Sequence, residues 1–186
     1  RQAYLPGRQS GCDPWASALA ILRVRGPAHY AGVQVIQGNV GEQVWPERVS
    51  QADIVVIQRN FPHFRQAYAE VMRLARQAGK PVLYEMDDWL FEVPSEHVSS
   101  AQYRGQLLSM LEAILEADAL TVSTPALREA LLPLNPNIWV WPNYLHDELW
   151  EFPPTPADTG TPAVVIGYIG GETHRPDLEW IAPVLQ

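Results

Sequence analysis

Residues 82 to 91 read VLYEMDDWLF, an apolar run ending in Glu85, Asp87 and Asp88, with Trp89-Leu90-Phe91 directly after. A carboxylate costs several kcal/mol to desolvate unless something pairs with it. Acids at the tip of a core-like strand therefore need a partner, solvent or a ligand. With a side-chain period of two, Glu85 and Asp87 share one side of the strand, and Met86 and Asp88 share the other. One reading is that one aspartate caps the next loop while its neighbour is solvated. The other is that Asp87 or Asp88 faces a ligand, binding hydroxyl groups or acting as a general base. Trp89 follows the acids and is the aromatic residue best placed to join such a site. The pair Glu85-x-Asp87 also has the oxygen chemistry to hold magnesium or manganese, with phosphate completing the shell.

A second candidate is IGYIGGETHRPDLEW (166–180), a strand, a Gly-Gly turn, a polar loop and a helix start. Backbone N–H groups at such a turn can meet an anion, and Gly170 and Gly171 permit its close approach. His174 and Arg175 would add to a phosphate site. An ordinary tight β-α turn, with His174 as a cap or surface residue, explains the same residues.

The elements that must position these groups alternate. Ala3 to Leu5 reads as a strand leading into the loop Pro6 to Gly11. A helix with Trp15, Ala18, Leu19 and Leu22 at helical spacing is expected to stop at Gly26-Pro27. VQVIQG (33–38) reads as a second strand and ADIVVIQ (52–58) as a third. The continuous apolar run of the third suits a parallel strand buried on both faces. Phe64 to Ala78 is amphipathic, with Tyr68, Val71, Met72 and Ala75 inward and Gly79 as its cap. KPVLYEMDD is the fourth strand. Ser99 or Ser100 then caps a long helix with Tyr103, Leu107, Met110, Leu111 and Ile114 on its apolar face. ADALTVST is the fifth strand, Thr124-Pro125 starts the next helix, and NIWVWPN (137–143) is the sixth strand. This order predicts an α/β fold, a Rossmann-like doubly wound parallel sheet. Ligands of such sheets bind outside the carboxyl ends of the strands, where Asp87 and Asp88 fall.

FPPTPADTGTP (152–162) breaks the pattern and reads as a linker. The expected organisation is a Rossmann-like domain over 1–151, this linker, and over 163–186 the first β-α unit of a truncated second Rossmann-like domain. The chain starts at Arg1 rather than Met and stops at Leu185-Gln186 inside a helical pattern, so it reads as part of a longer protein.

The totals narrow the function. Hydrophobic content of 47% and charged content of 18% are those of a globular protein. A net charge of −8 argues against nucleic acid as a partner, since phosphate binding wants a basic face. The single cysteine, Cys12, excludes an internal disulfide framework and a multi-cysteine zinc site, and points to a reducing, cytoplasmic setting. It has no histidine at a recognisable spacing, so a small loop residue is expected rather than a nucleophile. Neither a membrane-spanning run nor a signal peptide is visible.

Three segments in order carry a resemblance. ADALTVSTPALREALLPLNPNIWVWPNYLHDELW (117–150) resembles the end of the N-terminal domain of GT-B glycosyltransferases. VVIGYIGGETHRPDLEWIAPVL resembles the start of their C-terminal domain. PVLYEMDDWLFEVP is similar to a sequence of bacterial surface-polysaccharide and O-antigen enzymes of this type. The resemblance covers roughly residues 50 to 186, and YLPGRQSGCDPW is placed like the family's first strand and cleft loop. The resemblance implies transfer of a sugar from a nucleotide-diphosphate donor to a hydroxyl of a glycan or lipid-linked glycan. It also implies a donor site mainly in the C-terminal domain, which lies largely beyond Gln186, so that this piece alone is expected to be inactive. It implies no metal or other cofactor, and a cytoplasmic enzyme that works at the inner face of the membrane. Carried over by position, the cleft residues are Gly7, Ser10, Asp87, Asp88, Thr124, Asn143, Gly170, Gly171 and His174. Glu85-x-Asp87 also resembles the Asp-x-Asp motif by which another class of glycosyltransferases holds a divalent ion, and this stands as an alternative. A non-catalytic sugar-binding or docking module is a second one.

Seven tryptophans suggest a carbohydrate-stacking surface. However, Trp15 and Trp180 sit at helical core spacing and Trp139 and Trp141 alternate within a strand, so most are expected to be structural. Asp147, in Tyr144-Leu145-His146-Asp147, fits a helix cap as well as a cleft residue.

Overall fold

A computed structural model describes residues 18–40, 42–144, 167–168 and 174–184. Four parallel strands form the main sheet: β3 (Val55–Gln58), β4 (Val82–Met86), β5 (Ala119–Val122) and β6 (Ile138–Val140). Two shorter strands, β1 (Asn39–Val40) and β2 (Gln43–Val44), pair antiparallel as a separate hairpin. Helix α3 (Arg65–Gln77) links β3 to β4, α4 (Ser100–Glu116) links β4 to β5, and α5 (Pro125–Leu131) links β5 to β6. Preceding them is a helical stretch made of α1 (Ala18–Ala20), a π turn (Ile21–Arg25) and α2 (Gly26–Tyr30). The fold is therefore α/β on a parallel sheet. No helix among the described residues is long and apolar enough to cross a membrane.

The strands stand in the order β3-β4-β5-β6. A doubly wound sheet reverses strand order at a switch point, and these strands run in sequence order without reversal. The expected Ala3–Leu5 strand, the 152–162 linker and most of the expected strand before Gly170 lie outside the described residues. Helix α6 (Arg175–Ile181) and a 3-10 turn (Ala182–Val184) replace the single helix expected from Asp177 onward.

Register sorts the side chains into two faces. Ile57, Tyr84, Leu120 and Ile138 are cross-strand neighbours and all buried. They join Tyr68, Val71, Met72 and Ala75 of α3, Ala113 and Ile114 of α4, and Leu127 and Leu131 of α5 in one core. The next row, Gln58, Glu85, Thr121 and Trp139, points to the opposite face. There the helical stretch 18–30 docks through Arg23, while Val56 and Trp139 remain exposed. The third strand is thus shorter than expected and is not buried on both faces.

Local signals hold where they are self-contained. Gly79 takes φ 62° after α3, and Thr124 Oγ1 accepts a hydrogen bond from the Leu127 N–H at 3.2 Å. On α4, Met110 and Ile114 are buried as expected, but Tyr103, Leu107 and Leu111 are only half-buried and Ser99 makes no side-chain cap. Two expectations fail. Segment 33–38 is not a strand; in it the Gln37 carbonyl accepts from the Arg48 side chain at 2.7 Å and the Gly38 carbonyl from the Trp45 N–H at 2.9 Å. Nor does the first helix stop at Gly26-Pro27. The Gly26 N–H reaches back to the Ile21 carbonyl in a π turn, Arg25 and Gly26 keep helical angles, and the chain runs on through Pro27 into α2.

Candidate functional site

The three carboxylates that end β4 meet three different fates. Glu85, in the strand, is 2% exposed. Its Oε1 accepts from Arg23 Nε at 2.7 Å and its Oε2 from Gln58 Nε2 at 3.0 Å. The same guanidinium donates through Nη1 to the Trp141 carbonyl and, at 3.1 Å, to Asn143 Oδ1. One arginine from the helical stretch thereby ties together β4 and the segment after β6. Burial pushes the Glu85 carboxyl above its ordinary range, and the hydrogen bonds from Arg23 and Gln58 pull it part of the way back.

Asp87, one residue past the strand, is also buried, and its carbonyl accepts from the Ser123 hydroxyl at the end of β5. Arg59, one residue past β3, places Nε 3.4 Å from Asp87 Oδ1 and Nη2 3.2 Å from Asp88 Oδ2. The first contact is an ion pair without hydrogen-bond alignment, so Asp87 Oδ1 is buried with no donor. Burial raises the Asp87 carboxyl above its usual value. Arg59 opposes this, while Asp88 adds to it by like charge. Asp88 keeps 62% of its side chain exposed, so the outer carboxylate meets solvent and the inner one meets the protein. Behind them Arg59 Nη2 donates to Tyr103 Oη at 3.4 Å, with the guanidinium carbon 6.0 Å from the Tyr103 ring centre.

The remaining expected site residues divide. Trp89 is 38% exposed and packs on Phe91 with ring centres 5.2 Å apart, so it stands beside the acids as an open aromatic. Thr124 lies at the end of β5 near Ser123, but its hydroxyl is taken up in capping α5. Asn143 is exposed and bonded to Arg23 on the Glu85 side. His174 is exposed and contacts Asp177 at 3.0 Å, the arrangement of a helix-start surface residue. Gly7, Ser10, Gly170, Gly171, Cys12 and Asp147 lie outside the described residues. The expectation that most tryptophans are structural needs correcting, since Trp139 is 70% and Trp180 85% exposed. Periodicity put them on one side of an element without anything there to cover them.

Sequence reasoning passed over Arg23, Gln58, Arg59, Tyr103 and Ser123. Arg59 and Ser123 could have been found by applying the strand-end rule to β3 and β5 as well as β4. Nothing local marks Arg23 as the arginine of ILRVR that turns inward.

A hollow of about 420 Å³ lies apart from the acids, between α3 and α4. Its polar lining groups are all engaged: Arg65 with Glu112, Tyr68 Oη donating to Glu116 Oε2 at 2.8 Å, and Arg73 and Arg76 with Glu70 and Asp118 outside the hollow. It is a bridged helix seam, separate from the strand-end carboxylates. Among the described residues no three His, Cys, Asp or Glu side chains are grouped to hold a metal ion. Comparison with protein families, with curated proteins and with solved structures returned no match.

Proposed function

We propose that this chain is the acceptor-side part of a glycosyltransferase with a Rossmann-like, doubly wound domain of the GT-B kind. The reaction transfers a sugar from a nucleotide-diphosphate donor to a hydroxyl of a glycan or lipid-linked glycan. The observation that carries the reading is Asp87: a buried carboxylate at the carboxyl end of a parallel strand, with Oδ1 lacking a donor and exposed Asp88 beside it. Open parallel sheets bind ligands at that edge. Burial raises the proton affinity of Asp87, which suits a general base. In the proposed step Asp87 accepts the proton of the acceptor hydroxyl as its oxygen bonds to the anomeric carbon. The bond from that carbon to the diphosphate breaks, and the nucleotide diphosphate leaves. Asp88 and Trp89 meet the acceptor at the rim, and the Gly170-Gly171 turn with His174 approaches the diphosphate. The setting proposed is cytoplasmic, at the inner face of the membrane.

The metal-dependent alternative is disfavoured because Arg23 and Gln58 occupy both Glu85 oxygens, and a cationic guanidinium repels a second cation. Trp139 and Trp141, exposed on one side of β6, favour the non-catalytic sugar-binding alternative. Asp87→Asn in the full-length protein separates the two remaining readings. Loss of a general base should lower turnover about 10²–10⁴-fold while donor binding is kept. Undiminished turnover contradicts the role given to Asp87.

A further inference from the structure

Arg59 follows β3 with φ 41°, and among the described residues it is the one non-glycine with positive φ. Side chains rarely enter that region; holding one there costs roughly 1–3 kcal/mol, and the conformation persists only where the surroundings fix it. Here they do. The Arg59 N–H donates to the Glu85 carbonyl at 2.9 Å, and the Tyr84 hydroxyl donates to the Arg59 carbonyl. Glycine would make this turn more cheaply. What arginine adds is a side chain only 17% exposed, with its guanidinium set between Asp87 and Asp88 and backed by Tyr103.

We propose that Arg59 is a positioning residue, whose left-handed backbone aims the guanidinium between the two aspartates and so holds the Asp87 carboxylate in place at the mouth of the sheet. What Asp87 then does rests on the glycosyl-transfer reading; the placement by Arg59 does not. The charges acting on Asp87 come from several elements. Asp88 is its chain neighbour, Arg59 comes from the end of β3, and Arg23 from the helical stretch, where it is already engaged by Glu85. Glu85 of β4 is coupled to Asp87 by like charge, and Tyr103 of α4 bonds Arg59. Without Arg59, burial and the negative charge of Asp88 act together, and both drive Asp87 toward its protonated form.

The test is to titrate the Asp87 carboxyl carbon by NMR in the wild type and in Arg59→Gly, Arg59→Asn and Arg59→Lys, with urea unfolding of each. Glycine and asparagine tolerate the left-handed turn, so they retain the backbone and delete the cation. The expected result is an upward shift of the Asp87 midpoint in both neutral variants and partial restoration by lysine, with the urea transitions showing that each variant is folded. An unmoved midpoint in folded Arg59→Gly or Arg59→Asn overturns the proposal. So does failure of both to fold, which would make Arg59 a structural support alone. Because the titration follows Asp87 directly, the role of Arg59 stands or falls whether or not sugar transfer is detected.

Discussion

Arg23→Met removes the cation that a buried carboxylate depends on. The side chains of Arg23 and Glu85 are 1% and 2% exposed, with Nε and Oε1 2.7 Å apart. Deleting one member of such a pair costs about 3–5 kcal/mol, because the other charge is left desolvated. Gln58 remains as one donor to Glu85, but the Trp141 carbonyl and Asn143 Oδ1 both lose theirs. For a domain of this size each kcal/mol corresponds to roughly 2–4 °C, so Tm should fall by about 6–20 °C. Replacing the pair by Arg23→Met with Glu85→Leu removes both charges, and buried pairs exchanged for apolar residues are often neutral or stabilising. The double variant should therefore recover most of the loss, with a coupling of about 2 kcal/mol or more in urea unfolding. Simple additivity of the two single variants, to within about 0.5 kcal/mol, would refute the docking of residues 18–30 on the sheet through this pair.

The two buried acids also set a pH dependence. The carboxyls of Glu85 and Asp87 are raised in the folded state, so between the unfolded and folded values the native protein holds more protons. Their contribution to stability is complete below the unfolded values and is lost as pH rises through the folded ones. Asp118, lowered chiefly by the Val82 N–H, acts in the opposite sense, losing its contribution as pH falls through its folded value. Urea midpoints between pH 7 and pH 4.5 should thus show a stabilising contribution on acidification that shrinks in Asp87→Asn; an unchanged profile in that variant contradicts the assignment. Thr124→Ala should cost about 0.5–2 kcal/mol by uncapping α5, measured by urea unfolding. Its Asp87 titration should match wild type, and a displaced midpoint would mean that Thr124 belongs to the site.

How much of this was readable depended on the range of the interaction. The inward face of α3, the Gly79 cap and the Thr124-Pro125 start are fixed within a turn or two of chain, and each stands where spacing put it. The strand-end rule located Asp87 and Asp88. Segment 33–38 has strand composition, but Arg48 takes the Gln37 carbonyl from eleven residues away. Glu85 looked like part of an acidic cluster because its partner, Arg23, is 62 residues distant. Trp139 shows the limit of periodicity, which assigns a side chain to a face without saying whether that face is covered.

The function proposed for this protein depends on ligands meeting it at the carboxyl ends of β3, β4 and β5. Amide NMR decides the point, with the full-length protein titrated with UDP-, GDP- and ADP-sugars and with short oligosaccharides, in the presence and absence of EDTA. Metal-independent shifts centred on Arg59, Asp87, Asp88 and Trp89 are expected. Shifts confined to the α3–α4 seam, or shifts abolished by EDTA, would place the ligand elsewhere or make a metal its anchor, and either result contradicts the site proposed.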